Sequence, residues 1–368
     1  MKICLIYPPI KDKVPAKSTL LGLGYLAAVI RKKHEVDIKD LIFGSSFNDF
    51  SEYDVICVTA MFTYNRNELY EFLSFIKGYY PNIHLIVGGS HASTFPEEVI
   101  QYCDTVVCGE GEEIICEIIE NRRLGIIKTS RIKDLDKIPF PAWDLMWNDI
   151  KEINRRNEHT PFHIRKPFIH IITSRGCPNA CTFCAVKIAW GRQWVARSAK
   201  NVVDEIQELY NLGFREIHFN DDNCSINKER MYEICHLILE KDIKVKIACP
   251  TGIHIGTLDR PLLKLMKQTG FYRLCFGIET GSHEMQIRIK KNINLEKAKQ
   301  VIRDANDLGY WTSATFIFDF PKETQEDRNN TMKFIKESQL DFPIFYNLIP
   351  QPKTEIYAEC EYSLQAVS

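Results

Sequence analysis

The sequence has almost no excess charge of either sign and no long hydrophobic run. It carries 47 basic and 48 acidic residues, a formal net charge of -1, so its charge favours neither a nucleic-acid partner nor a membrane surface. No run reaches the roughly 18 apolar residues that a transmembrane helix needs. The opening MKICLIYPPI lacks the long apolar region and the cleavage site of a signal peptide. We therefore expect a cytoplasmic protein without a membrane segment.

The sequence also lacks the pattern of a disulfide framework, although cysteine is abundant. Thirteen cysteines are an odd number in a chain of 368 residues, whereas disulfide-stapled proteins are usually short and have an even count. Several cysteines lie in apolar stretches, where a free thiol packs like a small hydrophobic side chain. With 45% hydrophobic and 26% charged residues, the composition is typical of a globular protein in a reducing compartment.

The alternation of apolar runs predicts an α/β protein with two sheets. In residues 1–125, five strand candidates alternate with helical patterns, which predicts a doubly wound, Rossmann-like parallel sheet. Residues 126–166 lose this rhythm and are interpreted as a linker. Six further strand candidates between residues 167 and 350 predict a partial (βα)6 barrel of the TIM type. Residues 351–368 form a short C-terminal tail.

Three cysteines form one tight group directly after the first strand candidate of the second half. Cys177, Cys181 and Cys184 have the spacing C-x3-C-x2-C, which lets one loop wrap a compact metal centre. A structural zinc ion is the competing interpretation, but zinc prefers four protein ligands, and no second C-x2-C pair or H-x3-H follows. Three thiolates on an iron–sulfur cluster would leave one iron open for a chelating cosubstrate.

Around this group, residues 168–350 resemble the radical S-adenosylmethionine (SAM) superfamily, whose signature is C-x3-C-x-aromatic-C. The resemblance implies that the three cysteines bind a 4Fe–4S cluster and that the cluster cleaves SAM to a 5′-deoxyadenosyl radical. It also implies a set of SAM contacts in TFCA, FNDDN, GIETGS and WGRQWVARS. These contacts are Phe183, Asp221, Asp222, Glu279 and Arg197. Helix capping is the alternative role for the two aspartates, and a solvated basic loop is the alternative for the arginine.

One residue departs from the family pattern after the fifth barrel strand. Asp319 stands where the family's G-x-P-x-E-T segment has its glycine. This puts a close approach of the backbone to a ligand in doubt at that point.

Two glycine-containing segments follow consecutive strand candidates of the first half and predict a ligand that lies flat against loop backbone. Their candidate binding residues are Gly88, Gly89, Ser90, His91, Gly109, Glu110 and Gly111. An apparent G-x-G-x-x-A at residues 22–27 is a weak dinucleotide signal, because it does not follow its strand directly. Residues 1–125 resemble the cobalamin-binding domain found ahead of many radical SAM barrels. No D-x-H-x-x-G occurs, so His91 is a candidate loop contact rather than an expected cobalt ligand.

The combined resemblance implies a cobalamin-dependent methyltransferase that acts on an unactivated carbon. Radical cyclisation or rearrangement without methyl transfer is one alternative, and a non-catalytic cobalamin-binding or redox-responsive protein is another. The implied partners are an unidentified substrate, either a small molecule or a peptide, and an electron donor of the reductase, flavodoxin or ferredoxin type. The sequence does not identify the substrate.

Overall fold

A computed structural model describes residues 1–10, 19–43, 49–156 and 163–360 of the chain. The described residues form two compact units, one before residue 157 and one from residue 163 onward. Parts of the predicted linker (157–162) and of the predicted tail (361–368) lie outside the described residues. No helix within the described ranges is long and apolar enough to cross a membrane.

The first unit contains one parallel sheet of six strands in the order β2-β1-β3-β4-β5-β6. Its strands are β1 (Lys2–Tyr7), β2 (Glu35–Asp40), β3 (Val55–Thr59), β4 (His84–Gly88), β5 (Thr105–Cys108) and β6 (Gly125–Lys128). Its helices are α1 (Leu21–Ile30), α2 (Arg66–Tyr79), α3 (Ser90–Thr94), α4 (Pro96–Val99), α5 (Ile115–Glu120) and α6 (Trp147–Arg156). The central strands read as continuous apolar runs because both faces of the sheet are covered.

The segment after residue 125, interpreted from the sequence as part of a linker, is folded onto this unit. Strand β6 pairs with β5, and Trp143 and Met146 are buried. A Cβ atom at Gly24 would lie 2.6 Å from the Met146 methyl carbon and 3.0 Å from the Pro141 ring. The glycine of the apparent dinucleotide signal is therefore required for packing against residues 141–146. The sequence did not predict this packing, because isolated apolar residues in a turn-rich segment produce no periodicity. The predicted domain boundaries stay a prediction.

The second unit contains a parallel sheet in the order β14-β13-β12-β11-β10-β7, beside a two-stranded antiparallel ribbon of β8 and β9. Its strands are β7 (Phe168–Ile171), β8 (Ser174–Arg175), β9 (Val195–Ala196), β10 (Glu216–Phe219), β11 (Lys246–Ile253), β12 (Phe271–Glu279), β13 (Trp311–Phe318) and β14 (Phe342–Asn347). Its helices are α7 (Val186–Trp190), α8 (Ala199–Asn211), α9 (Lys228–Glu240), α10 (Arg260–Gln268), α11 (His283–Arg288), α12 (Leu295–Asp307), α13 (Gln325–Ser338) and α14 (Glu355–Glu359).

Local sequence signals fix where the main helices of this unit begin. Ser198, Asn227, Asp259 and Asn294 each accept a hydrogen bond from a backbone amide in the first turn of α8, α9, α10 and α12. Such caps typically contribute about 1 kcal/mol each. Because Asn227 caps α9, the two aspartates before it are not needed for capping and remain at the end of β10.

Candidate functional site

The loop between β8 and α7 lines a cavity of about 210 Å³ with three thiols. Cys177, Cys181 and Cys184 all face this cavity, and none of them forms a disulfide. Burial raises the pKa of the Cys181 thiol to about 11, so a thiolate at this position requires a cationic partner such as iron. The structure brings together the three residues that the sequence singles out.

The three thiols line one shared cavity. An iron–sulfur cluster takes each thiolate on a different iron, whereas a tetrahedral zinc site brings thiolate sulfurs to about 2.3 Å from one centre. Across residues 1–10, 19–43, 49–156 and 163–360, no group of three His, Cys, Asp or Glu side chains is already placed to hold one metal ion.

Hydrogen bonds from neighbouring elements hold this loop. The Thr182 amide donates to the Ile289 carbonyl at the end of α11 (3.0 Å), and the Ile356 amide of α14 donates to the Thr182 carbonyl (3.2 Å). The ring of Phe183 packs against Phe320, 5.7 Å between ring centres, in a small apolar cluster. Phe183 is not among the residues that line the cavity, and its packing anchors the loop; its contact with SAM stays a prediction.

The acidic pair after β10 separates into two environments. Asp221 is buried and accepts hydrogen bonds from the Thr173 amide (2.8 Å), the Thr173 hydroxyl (2.6 Å) and the Ser174 hydroxyl (2.5 Å). It is not among the residues that line the cavity, and its contact with SAM stays a prediction. Asp222 does line the cavity, and its carboxylate accepts a hydrogen bond from the Gly176 amide at 2.8 Å. Asp221 therefore fixes the chain before the cysteines, and Asp222 forms part of the cavity wall.

Asn223 is a cavity residue that the sequence analysis missed. Its side chain is buried, its Nδ2 lies 3.9 Å from the Cys177 sulfur, and its Oδ1 has no hydrogen-bond partner. An orphaned buried acceptor carries a free-energy cost of about 1–3 kcal/mol, which a ligand that donates a hydrogen bond would remove. The cavity is therefore suited to a ligand with donor groups. Asn223 is part of the FNDDN segment, but only its two aspartates were predicted as contacts.

Glu279 enters the cavity through an irregularity in β12. Its φ of 69° is in the left-handed region, and the register between β12 and β13 shifts between Gly277 and Glu279. Its Oε1 lies 3.1 Å from Lys291 Nζ, and its Oε2 accepts a hydrogen bond from the Thr315 hydroxyl at 3.1 Å. Such strain persists where the surroundings impose it and is common at functional sites.

Arg197 is engaged within the protein and is not among the residues that line the cavity; its contact with SAM stays a prediction. Its guanidinium forms an ion pair with the buried Glu205 and donates to the Ile172 carbonyl (2.9 Å) and to Asn201. These bonds link β7, β9 and α8. Lys187 and Lys291, rather than Arg197, line the cavity.

Asp319, which stands where the family pattern has a glycine, has a left-handed backbone conformation. Its φ is 66°, and its amide donates to Glu323 Oε2 at 2.8 Å. Aspartate tolerates the left-handed region better than most residues. The substitution therefore preserves the turn after β13.

In the first unit, the GGSHAS segment lies at the carboxyl end of β4, but its histidine turns inward. His91 is buried; its Nε2 lies 2.9 Å from the Tyr70 hydroxyl and its Nδ1 3.2 Å from Thr63 Oγ1. Burial lowers the pKa of His91 to about 4. Both ring nitrogens are engaged by the protein, and the ligand contact of His91 stays a prediction.

The neighbouring glycines support the same turn. Gly88 ends β4. Gly89 has a φ of 107°, and a Cβ there would lie 2.6 Å from the Ala60 carbonyl. Ser90 is exposed at the start of α3, where a ligand can reach it. Of this segment, the backbone and Ser90 face outward.

The CGEGEE segment is fastened to the chain after β6. Gly109 has a φ of 102°, and a Cβ there would lie 2.5 Å from the Thr129 hydroxyl. Glu110 is buried, pairs with Arg131 and accepts a hydrogen bond from the Ile132 amide (2.7 Å). Gly111 packs near Leu26. The Glu110 carboxylate is thus used within the protein, and its ligand contact stays a prediction.

An apolar surface at the end of β3 is the part of this unit best suited to a flat ligand. Met61, Phe62 and Tyr64 are 45%, 39% and 50% exposed, and the last two rings stack with centres 5.1 Å apart. A shallow cavity adjoins them, lined by residues that include Tyr7 and Thr59. Clustered exposed apolar side chains commonly mark binding surfaces.

Comparison with known proteins places both units. Residues 171–335 match the family described as the Radical SAM superfamily, and residues 8–119 match the B12 binding domain. The chain is 30% identical to an uncharacterized methyltransferase of Pyrococcus horikoshii, over 99% of this chain and 83% of that protein. It is 26% identical to cytidylyl-2-hydroxyethylphosphonate methyltransferase of Streptomyces wedmorensis, over 98% of this chain and 81% of that protein.

A solved structure shows the same fold. The radical SAM methyltransferase TsrM of Kitasatospora setae, solved with cobalamin and a [4Fe-4S] cluster bound, superimposes with a TM-score of 0.79 at 18% identity. The match covers 97% of this chain and 77% of that one. The predicted fold class, a Rossmann-like sheet followed by a partial barrel, is confirmed.

Proposed function

Because this chain belongs to the cobalamin-binding radical SAM family, we propose that it is a methyltransferase acting on an unactivated carbon of its substrate. Its cofactors are a 4Fe–4S cluster, SAM and cobalamin. The observation that carries the proposal is the set of three free thiols around one cavity, in a chain whose near-full-length relatives include methyltransferases.

We assign cluster binding to Cys177, Cys181 and Cys184, and SAM binding to the cavity wall formed by Asp222, Asn223 and Glu279. When bound, the cluster supplies the electron that cleaves SAM, and cobalamin supplies the methyl group. The chain's own residues orient and shield these groups. The unpaired Oδ1 of Asn223 can accept a hydrogen bond from a bound ligand, and Gly277 leaves room for the Glu279–Lys291 pair, because a Cβ there would lie 2.7 Å from Glu279 Oε1.

We assign corrin binding to the apolar surface of Met61, Phe62 and Tyr64, with backbone contacts from residues 88–90 and 109–111. The surface is apolar and exposed, and two of its rings stack on each other, which suits contact with one face of a large macrocycle. Since both nitrogens of His91 are engaged, cobalt receives no histidine from this segment.

We also propose the type of electron donor and the class of substrate. Radical SAM enzymes use a substrate and an electron donor; here we propose a reductase, flavodoxin or ferredoxin as donor and a small molecule or peptide as substrate. A cytoplasmic location is proposed as well, because all thirteen cysteines are free thiols and reducing compartments preserve thiols.

Corrinoid retention tests the assignment in the first unit. After anaerobic reconstitution with hydroxocobalamin and desalting, the wild-type chain should hold about one corrinoid per chain, measured by visible absorption and cobalt analysis. Phe62→Asp replaces a stacked ring by a carboxylate, which would have to lose its hydration when the corrinoid binds. Because this desolvation costs free energy, we expect corrinoid retention to fall by about ten-fold.

The matched control is Tyr79→Asp, which alters an aromatic side chain that is 73% exposed at the end of α2. It should retain corrinoid like the wild type. Equal retention by Phe62→Asp would contradict the assigned surface, and no retention by the wild type would remove cobalamin from the proposal.

A further inference from the structure

Asn223 places a buried side-chain amide beside one of the three cavity thiols. The residue is only 4% exposed, and its Nδ2 donates a long hydrogen bond to the Cys177 sulfur, 3.9 Å away. Within the described part of the chain, its Oδ1 has no hydrogen-bond partner. The contact with sulfur is therefore the interaction that this amide makes within the protein, and its consequence for a bound cluster can be worked out.

The backbone of Asn223 is held by the same ribbon that carries the cysteine loop. Its carbonyl accepts a hydrogen bond from the Trp194 indole at 2.9 Å and another from the Ser174 hydroxyl at 3.2 Å. Ser174 belongs to β8, and Trp194 directly precedes β9. On the other side, the amide of Cys224 donates to the Gly252 carbonyl of β11 at 2.9 Å. The fold thus fixes where Asn223 lies relative to the cysteines.

The charge on the sulfur decides which end of the amide faces it. Nδ2 carries two N–H donors, whereas Oδ1 carries only lone pairs. A cysteine that binds iron is a thiolate, which attracts an N–H group and repels the amide oxygen. A metal-bound Cys177 therefore favours the observed orientation, with Nδ2 toward the sulfur and Oδ1 left for a ligand in the cavity.

A hydrogen bond to a ligand sulfur favours the reduced state of a cluster. One-electron reduction adds a negative charge that spreads over the irons and sulfurs, and a hydrogen bond strengthens as its acceptor becomes more negative. Such bonds are among the features that set the reduction potential of iron–sulfur clusters. The Cys184 sulfur accepts its hydrogen bond from the backbone amide of Val186, which a substitution does not remove. The donor from Asn223 belongs to a side chain and can be removed.

We propose that Asn223 raises the reduction potential of the cluster through its hydrogen bond to the Cys177 sulfur. The proposal rests on the proposed function, because it requires a 4Fe–4S cluster on the three cysteines. The electron comes from the donor of the reductase, flavodoxin or ferredoxin type, which is oxidised in the step. Asn223 thus helps to set how strong a reductant the enzyme needs, whatever its substrate is.

The test measures the midpoint potential of the cluster in the full chain, reconstituted anaerobically and titrated without SAM. Electron paramagnetic resonance quantifies the reduced cluster. Asn223→Leu removes the donor and keeps a branched side chain. We expect one-electron reduction to become about ten-fold less favourable, which lowers the midpoint potential by about 59 mV. Because SAM is absent, loss of a contact with SAM cannot produce this shift.

Asn179→Leu is the matched control. Asn179 is a second asparagine that lines the cavity, but the amide that hydrogen-bonds to a thiol there is that of Asn223. This control should change the reduction equilibrium by less than about two-fold, since no hydrogen bond to a ligand sulfur is lost. An unchanged or raised potential in Asn223→Leu would overturn the proposal, as would an equal fall in Asn179→Leu. Iron content and cluster absorption report whether each variant is assembled.

A measurement on a protein that keeps Asn223 decides the matter even if Asn223→Leu does not assemble its cluster. Asn179→Leu is prepared with nitrogen-15 in its asparagine side chains, and its reduced cluster is studied by pulsed electron paramagnetic resonance. Among the described residues, Asn223 is then the asparagine that lines the cavity, so a coupling between nitrogen-15 and the cluster is expected. Absence of this coupling would overturn the proposal. A wild-type chain that holds no 4Fe–4S cluster would be a different result, because it would overturn the proposed function itself.

Discussion

Replacing Cys181 with alanine is expected to remove the iron–sulfur cluster and, with it, all SAM cleavage. Cys181 is the most deeply buried of the three cavity thiols, and each of the three thiolates is needed to hold one iron of a cluster whose fourth iron stays open. We expect iron content to fall from about four atoms per chain to below about one. Iron analysis, the absorption of the reconstituted protein, and 5′-deoxyadenosine released on reduction measure the effect.

The control for this variant is Cys235→Ala. Cys235 is a buried thiol of α9 that accepts a hydrogen bond from the Thr269 hydroxyl and does not line the cavity. It should keep full iron and product formation at a modest cost in stability. A Cys181→Ala protein that still holds four irons and cleaves SAM would show that Cys181 is not a cluster ligand. Zinc in place of iron in the wild type would show that the site does not hold a cluster.

The second large effect is expected for Asp221→Ala, because we expect this carboxylate to position the cysteine loop rather than to contact SAM. The carboxylate accepts three hydrogen bonds from Thr173 and Ser174, just before the cysteine loop. Its removal leaves buried donors without an acceptor, and we expect the free energy of unfolding to fall by about 3 kcal/mol. We also expect iron retention to fall, because the loop loses its attachment to the end of β10.

Asp222→Asn provides the comparison. Asp222 is exposed on the cavity wall, so its amide variant should keep the stability of the wild type within about 0.5 kcal/mol and change SAM affinity instead. Denaturant unfolding and dialysis separate the two effects. If Asp221→Ala unfolded at the wild-type denaturant concentration while losing SAM binding alone, the positioning role would be contradicted and direct contact supported.

The sequence predicted the fold well because the strands of both sheets are continuous apolar runs between amphipathic helices. The apolar run KICLIY forms β1, and the apolar run RLCFGIE lies within β12. The fold of the segment after residue 125 was harder to predict, since Trp143 and Met146 are buried although they lie in irregular chain. Periodicity detects regular elements, whereas such packing depends on contacts between distant residues.

The site was predictable only where spacing or family pattern marks the chemistry. The cysteine spacing and Glu279 led to cavity residues. Asp221 and Arg197 are polar residues near the site whose partners turn them inward, and sequence does not reveal those partners. Lys291 was missed because one lysine in KKNIN is indistinguishable from the next, although Lys290 points to a surface ion pair and Lys291 to the cavity.

The most direct test of the account is a single anaerobic assay on the wild-type chain with reconstituted cluster, hydroxocobalamin, SAM and a strong reductant. Chromatography quantifies 5′-deoxyadenosine and S-adenosylhomocysteine together. The account predicts both products, with S-adenosylhomocysteine formed only when cobalamin is present. Bound corrinoid with 5′-deoxyadenosine but no S-adenosylhomocysteine would indicate radical rearrangement or cyclisation. Neither product from a fully loaded protein would contradict the enzyme assignment and leave a cobalamin-binding protein without this activity.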